Sequence, residues 1–119
     1  MRKVSGILAD TMELRQLILD NPDLPIAVLG GESLNGGDYC WVYASDIRFK
    51  LGEILDCDQP INDEIVYSDR DMFNEQLEDW LRYGSCSELM EDAFQKVFAE
   101  EKAKYEPYWK KCILIFADN

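Results

Sequence analysis

Cys112–Ala117 reads CILIFA, an unbroken apolar run close to the end of the sequence. A strand covered on both faces carries a run of this kind, whereas a half-exposed strand alternates apolar and polar residues. The run therefore predicts the central strand of a sheet. Lys110 and Lys111 lead into it, and Pro107 ends the preceding helical pattern near Glu106.

Three segments before this strand have the apolar spacing of helices. The first is Asp10–Asp20, where Asp10 and Glu13 have the spacing of a capping box. The second is Asp69–Tyr83, which Ser68 or Asp69 caps and which places four large apolar residues on one face: Phe73, Leu77, Trp80 and Leu81. The third helix follows a cap at Ser85, paired with Glu88, or at Ser87.

Four further segments have the composition of strands: Pro25–Leu29, Tyr39–Tyr43, Ile47–Leu55 with Gly52 as a bulge, and Glu64–Tyr67. The paired glycines of Gly30–Gly37 indicate a loop, and Pro60 indicates a turn within Asp56–Asn62. Together these elements predict a single α+β domain over residues 1–119. We expect a mostly antiparallel sheet of about five strands with three helices packed on it.

The residue types that most enzymes depend on are missing or poorly spaced. There is no histidine, which removes the commonest general base and metal ligand. The Gly31–Asp38 stretch lacks the lysine of a phosphate-binding loop, and the acids that follow Asp56 lack the spacing of a calcium loop. The sequence therefore predicts a protein that is not an enzyme and has no cofactor and no metal site.

The negative charge of the chain is concentrated in one segment. The formal net charge is −12, and Glu53–Asp79 contains ten acidic residues against Arg70 as its one base. Such a field repels nucleic acid and anionic membranes and attracts basic protein surfaces. Solvated helix faces usually mix charges of both signs, whereas the second predicted helix has Arg82 only at its end. A solvated face that only improves solubility is the alternative interpretation.

We expect the acids of this segment to form a partner-binding array that resembles a row of phosphates. Eight residues make up the expected site: Asp56, Asp58, Asp63, Glu64, Asp71, Glu75, Glu78 and Asp79. The expected partner is a basic protein surface, with neither direct nucleic-acid binding nor membrane binding.

Two stretches resemble a group of small uncharacterised proteins of bacterial mobile elements. They are Leu14-x-x-Leu17-Ile18 with Pro22-Asp23-Leu24-Pro25-Ile26-x-Val28, and Tyr105–Lys111 leading into Ile113–Ile115. In its small size, acidity and lack of cofactor motifs, the chain is also similar to anti-CRISPR and anti-restriction proteins. That similarity implies an inhibitor that competes with DNA for the basic groove of a host nuclease.

An antitoxin or adaptor that binds a basic partner without inhibiting it is the competing hypothesis, and the oligomeric state is left open. The four cysteines are scattered, without a C-x-x-C pair. This spacing is typical of neither a metal site nor a small disulfide framework, so we expect reduced thiols and a location in the bacterial cytoplasm.

Overall fold

The computed structural model describes residues 7–34 and 41–119. The elements in chain order are helix α1 (Met12–Asp20), strand β1 (Ile26–Gly30), a 3-10 turn (Glu32–Leu34), strand β2 (Asp46–Leu55), helix α2 (Arg70–Arg82), helix α3 (Glu91–Tyr105), a second 3-10 turn (Glu106–Tyr108) and strand β3 (Trp109–Asp118). Contacts divide the described chain into two compact units. One contains the residues up to Glu53 together with Lys111–Asn119, and the other is Ile54–Lys110. No described helix combines the length and apolar character needed to cross a membrane.

Strand β3 lies in the middle of the sheet, whose order is β1-β3-β2. This position confirms the central strand predicted from the apolar run, although β3 begins earlier, at Trp109. Its residues Cys112, Ile113 and Leu114 are almost completely buried. The first half of the apolar run is therefore buried, whereas Ile115–Ala117 are partly exposed.

The sheet is mixed and has three strands among the described residues, so the predicted mostly antiparallel sheet of about five strands is wrong. Strand β1 pairs parallel with β3, from Ile26 opposite Ile113 to Gly30 opposite Ala117. Most of the chain, including α2 and α3, separates these two strands. A connection of that length permits parallel pairing, which a short hairpin does not. The α+β class is confirmed.

Two of the predicted strands do not form where the structure describes them. Trp41–Tyr43 has no regular secondary structure, and Trp41 is 94% exposed, so no burial favours a strand there. Tyr39 and Cys40, with Asn35–Gly37 of the predicted loop, lie outside the described residues. Glu64–Tyr67 also has no strand structure, because only Tyr67 is buried and its carbonyl accepts one hydrogen bond from the Leu55 amide (2.9 Å).

Gly52 lies inside β2, where the sequence predicted a bulge. A Cβ atom at this position would lie 2.5 Å from Cδ1 of Leu114, which is fully buried. The glycine therefore permits close approach of the β3 side chain, a common reason for glycine within a strand.

The three helices begin in three different ways. At α1, the Asp10 carboxylate accepts from the Met12 amide (2.9 Å), although Thr11 is the capping residue. At α2, Asp69, one of the two predicted caps, is the capping residue. At α3, the predicted serine caps are wrong, since Met90 precedes the helix and gives no side-chain hydrogen bond. Most of the residues between α2 and α3 form turns instead, and these turns include the buried Cys86.

Phe73 is the centre of the core of the Ile54–Lys110 unit and is 0% exposed. Three aromatic rings meet it edge-on: Tyr67 at 5.1 Å, Tyr105 at 5.1 Å and Trp109 at 6.0 Å between ring centroids. Edge-to-face pairs of this kind stabilise beyond the area that they bury. Phe73 thus joins α2 to the segment before it and to the end of α3.

We predict that Gly52→Ala destabilises the chain by roughly 1–3 kcal/mol, because the added methyl group forces the packed Leu114 to move. Urea denaturation measures this change. In a Leu114→Val background, which removes the opposing Cδ1 atom, the cost of Gly52→Ala should shrink. Equal costs in both backgrounds would contradict the proposed close approach.

We predict that Phe73→Ala lowers the free energy of unfolding by roughly 3–5 kcal/mol, since three rings lose their common partner. Met72→Ala, at the neighbouring exposed position, should change it by less than about 0.5 kcal/mol. Urea denaturation followed by circular dichroism compares the two. A small effect of Phe73→Ala would show that the aromatic cluster repacks without it.

Candidate functional site

Helix α2 has one buried face, which fixes the direction of its exposed half. Phe73, Leu77 and Leu81 recur every four residues and are almost fully buried. The Asp69 carboxylate accepts hydrogen bonds from the amides of Asp71 (2.9 Å) and Met72 (3.3 Å), which holds the first turn in place. The helix is therefore fixed both by its core contacts and by its cap.

Three of the predicted acids lie on the exposed half of α2. Asp71, Glu75 and Asp79 follow one another at four-residue spacing, which places successive Cβ atoms roughly 5–6 Å apart. All three side chains are exposed, and none has an ion pair with any residue that the structure describes. Asp71 also lies in the first helical turn, where a negative charge is favourable.

Glu78 has a different environment from these three acids. Its carboxylate accepts from Arg82 at 2.8 Å and 3.1 Å, and both side chains are about one-third exposed. Arg82 also donates to both carboxylate oxygens of Glu91 in α3, each at 3.1 Å. Glu78 therefore belongs to a contact between helices, and its charge is compensated within the unit.

The two arginines of α2 both connect it to α3 and the turn that follows. Arg82, at the end of α2, stacks on Phe94 at 4.0 Å while it binds Glu91 near the start of α3. Arg70, at the start of α2, stacks on Trp109 at 5.0 Å and binds Glu106 (2.6 Å), directly after α3. The two helices are therefore antiparallel, and neither arginine pairs with Asp71, Glu75 or Asp79.

The other four predicted residues lie on the irregular segment between β2 and α2. Asp56, Asp58, Asp63 and Glu64 are all exposed. The segment is shaped by Gln59, whose buried side chain accepts from the amides of Ile61 (2.6 Å) and Asn62 (3.0 Å) and donates to the Asn62 carbonyl. These acids therefore project from a turn that a neutral amide side chain holds together.

Tyr67 attaches this acidic segment to α2. Its hydroxyl donates to Oε1 of Gln76, and its ring meets Phe73. The structure thus places all eight predicted residues in the Ile54–Lys110 unit. Asp71, Glu75 and Asp79 share one helix face, whereas the four loop acids occupy a separate segment and Glu78 pairs with Arg82.

Trp80 does not belong to the core, which corrects the sequence prediction. It is 42% exposed, whereas Leu81 completes the buried row that begins with Phe73 and Leu77. Met72 on α2 (44% exposed) and Tyr83, which directly follows α2 (87% exposed), are also open to solvent. Trp80 lies seven residues after Phe73, almost two full helical turns, so the apolar spacing placed it on the buried face and did not reveal its exposure.

Potential metal ligands and cysteine thiols are the reactive groups to consider among the described residues. Within ranges 7–34 and 41–119 no three potential ligands of the types His, Cys, Asp and Glu cluster around a common point. Cys57, Cys86 and Cys112 are free cysteines, while Cys40 lies outside these ranges. Burial raises the pKa of the Cys57 and Cys112 thiols, so both are protonated near neutral pH and poorly nucleophilic.

No protein-family model, curated protein sequence or solved structure matches this chain. The resemblance to proteins of bacterial mobile elements, and the similarity to anti-CRISPR and anti-restriction proteins, therefore stay predictions.

We predict that the contact between Glu91 and Arg82 makes stability depend on pH in the acidic range. Hydrogen bonds from Arg82, with a further one from Gln95, lower the pKa of Glu91 to about 2 from an ordinary value of 4.5. The ionised form is favoured in the folded state, so its contribution is complete above about pH 4.5 and is lost as the pH falls through about 2. Urea denaturation between these pH values measures the loss.

Glu91→Gln should lessen this loss, because the substituted side chain no longer titrates. In an Arg82→Met background, the same substitution should change the pH dependence little, since the partner is already gone. Parallel stability curves for the wild type and Glu91→Gln would contradict the assignment.

Proposed function

We propose that this chain is an acidic inhibitor that binds the basic, DNA-binding groove of a bacterial defence nuclease of CRISPR or restriction type. The observation that carries the proposal is the exposed face of α2. Asp71, Glu75 and Asp79 lie there in a row, without an ion pair to any described residue. A basic groove complements such a row by charge.

The way α2 is held supports this function. Its buried row, its Asp69 cap and the two arginine contacts to the α3 region fix the helix at both ends and along its length. Fixed charges bind with a smaller loss of conformational freedom than charges on a mobile tail. The acids repel phosphate groups, so the proposed partner is a protein and not a nucleic acid. The proposed setting is the bacterial cytoplasm.

The acids do not contribute equally to the proposed contact. Asp71, Glu75 and Asp79 form its centre, and Asp56, Asp58, Asp63 and Glu64 extend the negative field from the neighbouring segment. Glu78 serves mainly to position Arg82, because the two side chains are already paired.

An antitoxin or adaptor that binds a basic partner without blocking an enzyme is the second candidate. The exposed apolar side chains of Trp80 and Tyr83 beside the acids fit it as well as they fit an inhibitor, because protein interfaces of every class use such residues. The readout separates the two candidates: an inhibitor reduces DNA cleavage, whereas an adaptor binds and leaves cleavage unchanged.

We predict that the triple reversal Asp71→Lys, Glu75→Lys, Asp79→Lys weakens inhibition by about tenfold or more, because three attractive contacts become repulsive. The measurement is DNA cleavage by a panel of purified CRISPR and restriction nucleases, with wild-type protein or the variant added at increasing concentration. Inhibition by the wild type should also weaken as the salt concentration rises.

The matched control is Glu88→Lys, Asp92→Lys, Glu100→Lys. It reverses three exposed acids elsewhere, including one in the first turn of α3, and produces the same change in net charge. This control should inhibit like the wild type. Equal losses for both variants would mean that net charge alone matters, and unchanged inhibition by the first variant would exclude the α2 face as the contact.

A further inference from the structure

A strip of exposed apolar side chains runs along α2 beside its acids. Met72 is 44% exposed, Trp80 is 42% exposed and Tyr83 is 87% exposed. Single exposed apolar residues are common, whereas several large ones close together on one surface mark a place where partners bind. The strip is defined here as Met72, Trp80 and Tyr83.

Helix geometry places these residues together and next to the acids. Met72, Gln76 and Trp80 follow one another at four-residue spacing, and Tyr83 lies three residues after Trp80. Residues with these spacings are neighbours on a helix surface. Tyr83 also lies four residues after Asp79, and Met72 lies three before Glu75, so the acids border the strip along its length.

The strip is held in a fixed position. Gln76, between Met72 and Trp80, accepts a hydrogen bond from the buried Tyr67, and Phe73, Leu77 and Leu81 anchor the adjoining face of the helix. Tryptophan and tyrosine are the residue types that most often dominate binding energy at protein interfaces. A rigid aromatic surface gives up little freedom on binding.

We propose that this strip is the energetic centre of the α2 interface and that its occupant is a protein segment with apolar side chains flanked by lysine or arginine. The inference rests on the proposed function and specifies the partner chemistry. Glu75 and Asp79, which border the strip, select a basic occupant by charge complementarity. The same carboxylates repel the phosphates of a nucleic acid that would stack on Trp80.

The test uses three helix-forming peptides of equal length, titrated into the full chain by calorimetry. One has a leucine face bordered by lysines, the second replaces the leucines with serine, and the third replaces the lysines with glutamate. The leucine–lysine peptide should bind at least tenfold more tightly than either of the others. Trp80→Ala should weaken its binding about tenfold, and Glu75→Lys with Asp79→Lys should weaken it similarly.

Tyr108→Ala is the matched control, because Tyr108 is an aromatic residue of similar exposure (47%) outside α2. It should leave binding unchanged. Equal binding of the leucine–lysine and serine–lysine peptides, unaffected by Trp80→Ala, would overturn the inference and leave the charge-based function standing. No binding of the leucine–lysine peptide would also overturn it, while the nuclease assay decides the proposed function independently.

Two further measurements test other occupants of the strip. Single-stranded oligonucleotide binding that Trp80→Ala abolishes would overturn the inference in favour of base stacking. Sedimentation showing self-association of the chain, lost in Trp80→Ala, would overturn it in favour of a second copy. Neither behaviour is expected of the wild-type protein.

Discussion

The packing of three aromatic rings around Phe73 is the contact on which the Ile54–Lys110 unit depends. Tyr67 lies before α2, whereas Tyr105 and Trp109 lie at and after the end of α3, so Phe73 brings together segments that are distant in sequence. Its burial determines which half of α2 faces solvent. The position of the acids and of the exposed aromatic residues therefore follows from an uncharged, fully buried side chain.

Local sequence patterns predicted the parts of the fold that depend on interactions between residues close in the sequence. The apolar run at Cys112–Ala117 and the Asp69 cap both correspond to what the structure shows. The pairing of the strands could not be predicted from local patterns, because the parallel pairing of β1 with β3 joins residues separated by most of the chain. Glu64–Tyr67 has the composition of a strand but forms none. Only Tyr67 in this segment is buried, and its burial does not require a strand.

In the candidate site, too, some features depend on residues close in the sequence and others on residues far apart in it. Four-residue spacing was sufficient to place Asp71, Glu75 and Asp79 on one face. The same spacing also allowed Glu78 to pair with Arg82, but it could not show that Arg82 binds Glu91, which belongs to another helix. Charge counts along the sequence do not show which groups Arg70 and Arg82 contact. In the folded unit both arginines are used to join α2 to the α3 region, which leaves the acidic face negative.

The turn around Gln59 has a consequence for the behaviour of the acidic segment in salt. Its hydrogen bonds join a neutral amide to backbone groups, so dissolved ions do not screen them as they screen ion pairs. A rise in ionic strength would weaken the attraction between Asp58 or Asp63 and a basic surface while the turn keeps its shape. For this segment, charge and conformation are therefore separable properties, and ionic strength acts on the first alone.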